Sequence, residues 1–302
     1  MAENGWKSAA ILGDKIYGRG AADMLSGLVG MIAAANILRK HPTAWKGRII
    51  LTVVMDEEIG GNGTLRSLLW LEKHGYLSSS TQCLIAEPTD RTYGLSSLGF
   101  LHMILEIKNP PVHMSAAAAR KNPLKLLSNL LLCFDDLMFQ AAAQSVSAID
   151  ANSLVSNFGI IHGGDDAAIP IPTLHVEGVL FFPEELNPEL FKIALCEKIK
   201  TQFPEIQIKW GQFFFKGASY PSFDLAEALK RLGIKEKIFR SPCDARLYKS
   251  FSIPVIIYGP GSLNQAHAID EWVSLSELRK YINNLIQAIS HGHTISSASA
   301  TD

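Results

Sequence analysis

The chain has 302 residues, 47% of them hydrophobic, which is enough for one large core or two of ordinary size. Its 28 lysines and arginines against 29 aspartates and glutamates leave a formal charge of −1, so no overall field draws it to nucleic acid or to an anionic membrane surface. Cys83, Cys133, Cys196 and Cys243 are far apart with no C-x-x-C, the N-terminus has no basic or apolar leader, and no window approaches ~18 uninterrupted apolar residues. These features predict buried free thiols, a cytoplasmic protein and no membrane span.

In chain order, residues 9–18 predict a short hairpin around Gly13 and Asp14. Gly18, Arg19, Gly20 and Asp23 then lead into a helix whose apolar Leu28, Met31, Ile32, Ala35 and Leu38 recur at helical spacing until His41 and Pro42 stop it. Asp23 falls at that helix start, where it suits either a plain N-cap or a metal ligand. Residues 49–54 are apolar and β-branched and predict a buried strand, which delivers Asp56, Glu57 and Glu58 to its carboxyl end before the glycines at 60, 61 and 63 force a turn. Ligands of open α/β sheets bind at such strand ends. Adjacent acids repel one another unless a cation or proton is shared, so this triplet is either a solvated acidic turn or part of a metal site.

A short helix is expected over 65–71 and a further strand over 83–86, ending in Glu87 before Pro88. The proline biases Glu87 to extended backbone, so its carboxylate either starts a turn or points into the crevice that holds Glu58. From residue 97 to 212 the order is strand (100–107), helix (123–139), strand (157–161), strand (173–182), helix (187–200) and a fourth strand (206–210). This pattern predicts a small α+β domain inserted into the first, with a flexible loop at 140–153. The chain then returns through a helix (225–232), a strand (254–258), a loop carrying His267, and an amphipathic helix (274–289). Residues 291–302 are small and polar and are expected to be disordered.

Taken together, Gly18-Arg19-Gly20-Ala21-Ala22-Asp23, Asp56-Glu57-Glu58 with its glycine turn, Glu87-Pro88-Thr89, and Gly259-Pro260-Gly261 through His267 to Glu271 resemble one family, in order and over nearly the whole chain. It is the zinc-dependent aminoacylase and carboxypeptidase family that includes acetylornithine deacetylase, succinyl-diaminopimelate desuccinylase and carboxypeptidase G. The resemblance implies an α/β zinc-exopeptidase-like catalytic domain with a mainly parallel sheet (1–96 and 213–290), interrupted by an α+β ferredoxin-like lid and dimerisation domain (97–212). It implies metal-dependent hydrolysis of an amide bond in an N-acyl amino acid or small peptide, by a homodimer that involves neither nucleic acid nor membrane. By the same resemblance Asp23 bridges two metal ions, Glu57 is the general base, Glu58 and His267 complete one metal's ligands, and Glu87 serves the other.

The family also carries His-x-Asp upstream of the Gly-Arg-Gly motif, whereas only 17 residues precede Gly18 here and none is histidine. The expectation is therefore zinc, with cobalt or manganese as substitutes, as one or two ions and with the second site incomplete. The alternative is a truncated relative that folds and dimerises without turnover. The lid arginine expected to hold a substrate carboxylate has no counterpart near residues 173–182, which leaves Arg246 as carboxylate binder or surface ion-pair partner. His113 matches the family's lid histidine, in atypical surroundings.

Overall fold

The computed structural model describes residues 9–110, 112–115, 122–143 and 154–290. The chain divides into two compact units, one comprising the chain through Ser97, Ser219–Phe239 and the chain from Cys243 onward, the other Leu98–Ala218 with Arg240–Pro242.

The first unit opens with the expected hairpin, β1 (Ala10–Leu12) and β2 (Lys15–Tyr17), turned at Gly13 with φ of 60°. Helix α1 (Ser26–Lys40) buries Ser26, Gly27, Gly30, Ala34 and Leu38 as one stripe. The helical stretch Ala21–Lys40 is long and apolar enough to cross a membrane by length and composition, but its buried stripe packs as a core helix does.

Residues 49–54 differ from expectation. They form no strand, and Leu51 and Val53 are 41% and 68% exposed. The residue types have strand propensity, but a strand also needs a ladder partner, and no described segment pairs with this one. Between it and α1 lies a cleft of about 940 Å3, lined by Leu28, Met31, Ile49, Leu51 and, from the strand that follows, Leu84. Helix α2 (Asn62–Lys73) is longer than predicted and leads to that strand, β3 (Cys83–Ile85), and to the two-residue β4 (Ser96–Ser97).

The second unit runs β5 (Gly99–Lys108), α3 (Pro123–Ala143), β6 (Val155–His162), β7 (Thr173–Phe182), α4 (Pro188–Gln202) and β8 (Ile206–Phe215). Its sheet is antiparallel in the order β6-β7-β5-β8, a ferredoxin-like arrangement. Strict alternation in β5 and β7 buries Leu101, Met103, Leu105, Ile107, Val176 and Leu180 against Leu130, Phe134, Phe191 and Leu195 of the two helices, each worth about 1.5–3 kcal/mol of burial. Asn187 caps α4 by accepting from the Glu189 and Leu190 backbone N–H groups. Residues 140–143, expected in a loop, form the last turn of α3, because alanine continues a helix readily. The rest of that expected loop, 144–153, and the tail 291–302 lie outside the described residues.

The chain returns through β9 (Ala218–Ser219), α5 (Asp224–Arg231), α6 (Ala245–Tyr248), β10 (Val255–Ile257), β11 (Trp272–Ser274) and α7 (Leu275–Ile289). Strand β10 pairs in parallel with β3, Val255 to Cys83 through Ile257 to Ile85, while β11 joins β2 antiparallel, so the sheets of this unit are mixed. The α1 and α7 helices approach closely because Gly30 has no side chain where a Cβ would meet the Tyr281 ring at 2.5 Å. All four cysteines are free thiols, with Cys243 buried and the others half-buried.

Candidate metal centre

The site is assembled within the first unit from four separated segments. Asp23 sits in the turn before α1 with φ −119° and ψ 95°, outside helical space, its peptide bond to Met24 cis, and its side chain caps no helix N–H. The N-cap alternative is therefore not realised. The turn is instead held by Glu271, only 2% exposed, whose carboxylate accepts from the backbone N–H groups of Gly20 (3.0 Å), Ala22 (2.8 Å) and Asp23 (3.0 Å) and from Arg19 Nη1 (3.1 Å).

Glu57 and Glu58 open a single 3-10 turn, Glu57–Ile59, entered through Asp56 at φ 70° and closed at Gly60 and Gly61. Adjacent on the chain, the two acids face different surroundings. Glu58 Oε1 lies 2.9 Å from His267 Nε2, and the same nitrogen lies 3.5 Å from Asp23 Oδ2. His267 reaches them from a loop in which its own φ is 60°. One donor atom each from Asp23, Glu58 and His267 fall within 4.8 Å of one another.

Glu57 is turned inward. Burial, then the charges of Asp244, Glu58 and Asp23, push its carboxyl up to about 8. Glu87 follows β3 after Ala86, is 6% exposed, and hydrogen-bonds Asp23 side chain to side chain. Burial and then the Asp23 and Glu57 charges raise it well above the usual carboxylate range, and Asp23 is raised by burial and by Glu58. The end of β3 is gripped from two sides: a Cβ on Gly27 would lie 2.3 Å, and one on Gly259 2.1 Å, from the Ala86 carbonyl oxygen. Asp23, Glu57, Glu58 and Glu87 with His267 thus stand as an under-neutralised anionic cluster, with oxygen and imidazole donors that suit a divalent cation.

Of the two further candidates, Arg246 is not a surface residue. Its side chain is 14% exposed, and Nη2 donates to the Gly60 carbonyl at 2.9 Å, holding the turn that carries Glu57 and Glu58. His113 belongs to the second unit, is exposed, and its Nδ1 lies 2.9 Å from Ser115 Oγ.

Residues 2–291 match peptidase family M20/M25/M40. The chain belongs to that family. Among M20 relatives, the succinyl-diaminopimelate desuccinylase of Hydrogenovibrio crunogenus is 29% identical over 93% of this chain and 78% of its own length. The desuccinylase of Acinetobacter baumannii is also 29% identical, over 65% of this chain, which spans about half (52%) of that relative's length. A tripeptidase from Staphylococcus aureus superposes over 94% of this chain and 76% of its own, with a TM-score of 0.69 at 16% identity. An M20 metallo-carboxypeptidase from Sulfolobus solfataricus gives 0.66 at 15% identity, covering 94% and 80%. The fold is accordingly the M20 α/β exopeptidase catalytic domain with a lid domain.

Two residues that pack against this cluster escape a motif reading by role. Asp244, 4% exposed, accepts from the Thr64 hydroxyl and raises Glu57, and Gly61 gives it room, since a Cβ there would meet Asp244 Oδ1 at 2.1 Å. Glu271 is the other, and its position at the end of the His267 motif was its only signal in the sequence.

Proposed function

We propose that this chain carries the metal-binding catalytic centre of a hydrolase that cleaves the amide bond of an N-acyl amino acid or short peptide. One observation carries the proposal: Asp23, Glu58 and His267, from three distant segments, bring two carboxylates and one imidazole within 4.8 Å. This set suits zinc, with cobalt or manganese as substitutes, and three protein ligands leave a position open. A bound divalent cation of this kind lowers the pKa of water toward about 7 and polarises a carbonyl.

The chain's own residues supply the rest. Glu57, buried beside the donors, is the carboxylate that takes a proton from the attacking water and passes it to the departing amine. Glu271 fixes the Gly18–Asp23 turn through its three backbone hydrogen bonds, so Asp23 is held ready. Glu87, hydrogen-bonded to Asp23, is the carboxylate for a second ion in this reading, and Arg246 steadies the Glu57–Glu58 turn. The desuccinylases and the tripeptidase among the relatives support a small acylated or peptide substrate. Among the described residues β6 is an edge strand, and its Val155, Ile160 and Ile161, 44%, 42% and 49% exposed, support a homodimer paired through it.

A second reading, a metal-binding fold without turnover, is favoured by the unpaired run at 49–54 beside the open cleft. Metal analysis and kinetics separate the two. Wild type should hold a zinc ion that His267→Ala loses, and Glu57→Gln should keep that ion while hydrolysis of N-acyl amino acids or dipeptides stops. Zinc content unchanged by His267→Ala removes the proposed site, whereas zinc bound with no hydrolysis of either substrate class selects the second reading.

A further inference from the structure

The turn that carries Glu57 and Glu58 is held from one side. Upstream, residues 49–55 have no strand partner, and among the described residues none of them makes a backbone hydrogen bond. Downstream, the turn closes where the Gly61 N–H donates to the Asp56 carbonyl at 2.7 Å. Gly63 packs on Met55, since a Cβ there would lie 2.2 Å from the Met55 carbonyl oxygen. A turn joined to α2 but to no strand needs an outside anchor if its two carboxylates are to keep their positions.

That anchor is the stretch from Asp244 to Arg246 at the start of α6. Asp244 is 4% exposed and lies against the first turn of α2: one carboxylate oxygen accepts from the Thr64 hydroxyl, and the other occupies the space a side chain at Gly61 would fill. Arg246 Nη2 lies 4.0 Å from that second oxygen and donates to the Gly60 carbonyl at 2.9 Å. Gly60 and Thr64, on either side of the exit from the turn, are thus gripped by the two ends of one three-residue stretch. The second Asp244 oxygen has no hydrogen-bond partner among the described residues. A neutral side chain would accept from Thr64 without burying that oxygen, so the carboxylate costs more than support of α2 alone requires.

We propose that Asp244 is a positioning residue of the metal centre: with Thr64 and Arg246 it clamps the Glu57–Glu58 turn onto α2 and so sets where the two carboxylates stand. The inference deepens the proposed function and rests on it for the role of Glu58. Asp244 acts through Thr64, Gly60 and Gly61 and needs no contact with the ion.

The test reads amide hydrogen exchange and zinc affinity in the full chain. Exchange is followed in chelator at Gly60 and Gly61, whose N–H groups close the turn, with Ile257 of β10 as the control for global opening. Thr64→Val, which removes the hydroxyl at nearly constant volume, and Asp244→Ala should each speed exchange at Gly60 and Gly61 at least tenfold and raise the zinc Kd at least tenfold. Thr64→Ser should behave as wild type. Thr64→Val combined with Asp244→Ala should be no worse than Asp244→Ala alone, because the two residues belong to one clamp. Circular dichroism checks folding, and Thr64→Val with its serine rescue carries the test if Asp244→Ala does not fold. Equally faster exchange at Ile257, unchanged exchange at Gly61, no rescue by serine, or an unchanged zinc Kd in variants whose turn has loosened overturns the proposal. A wild type that binds no zinc defeats the metal reading instead, and exchange then decides the clamp by itself.

Discussion

Replacing Glu57 by glutamine removes an ionisable group from the most crowded part of the anionic cluster and preserves the side chain's volume. In the folded chain that carboxyl sits at about 8 against 4.5 for the ordinary group. A raised acid opposes folding in its charged form: its effect is absent below the unfolded pKa, grows as pH rises through the interval, and is complete above the folded value. At pH 7 the difference corresponds to about 3 kcal/mol of destabilisation, and at pH 5 to under about 1 kcal/mol. The buried amide gives back about 1 kcal/mol for N–H groups without partners. In chelator, the variant should therefore gain about 2 kcal/mol at pH 7, or roughly 4–8 °C in Tm, and nothing at pH 5. Thermal melts followed by circular dichroism at the two pH values measure this directly. An equal shift at both, or none at pH 7, would refute the assignment of Glu57 as a strained carboxylate among like charges.

Glu271→Ala takes four hydrogen bonds from the Gly18–Asp23 turn without touching the donors, so both stability and zinc affinity should fall, by about 2–4 kcal/mol and at least tenfold, read by denaturant melts and zinc titration. Zinc at a hundred times its Kd should raise wild-type stability by about 2.7 kcal/mol. His267→Ala should lose that gain in calorimetry. Ile160→Lys with Ile161→Lys on the β6 edge should yield a monomer by light scattering, and a persistent dimer would move the interface elsewhere.

Much of the second unit could be read from alternation. Strand β7 runs over Thr173–Phe182 as expected, because a sheet with one covered face writes its burial into every second residue. The site was legible as spaced motifs around Asp23, Glu57, Glu58, Glu87 and His267, all of which lie in the first unit. What composition could not convey was pairing. Residues 49–54 have the side chains of a strand, yet the ladder depends on a neighbour that local sequence does not encode. Glu271 was invisible as an anchor for the related reason that its partners are backbone N–H groups some 250 positions away. Arg246 read equally as a carboxylate binder or a surface ion-pair partner, and only the fold shows it sealed against the Gly60 carbonyl.

The grip of Gly27 and Gly259 on the Ala86 carbonyl limits how this pocket can be retailored. Backbone meets backbone there, so no larger residue can be admitted at either position without dislodging Glu87, and the floor is closed to variation. Freedom lies next to the donors in sequence, at Leu25, Ile59 and Ile269, whose side chains are 56%, 64% and 63% exposed. A library confined to those three positions would change side chains beside the donors in sequence while leaving the Ala86–Glu87 backbone untouched.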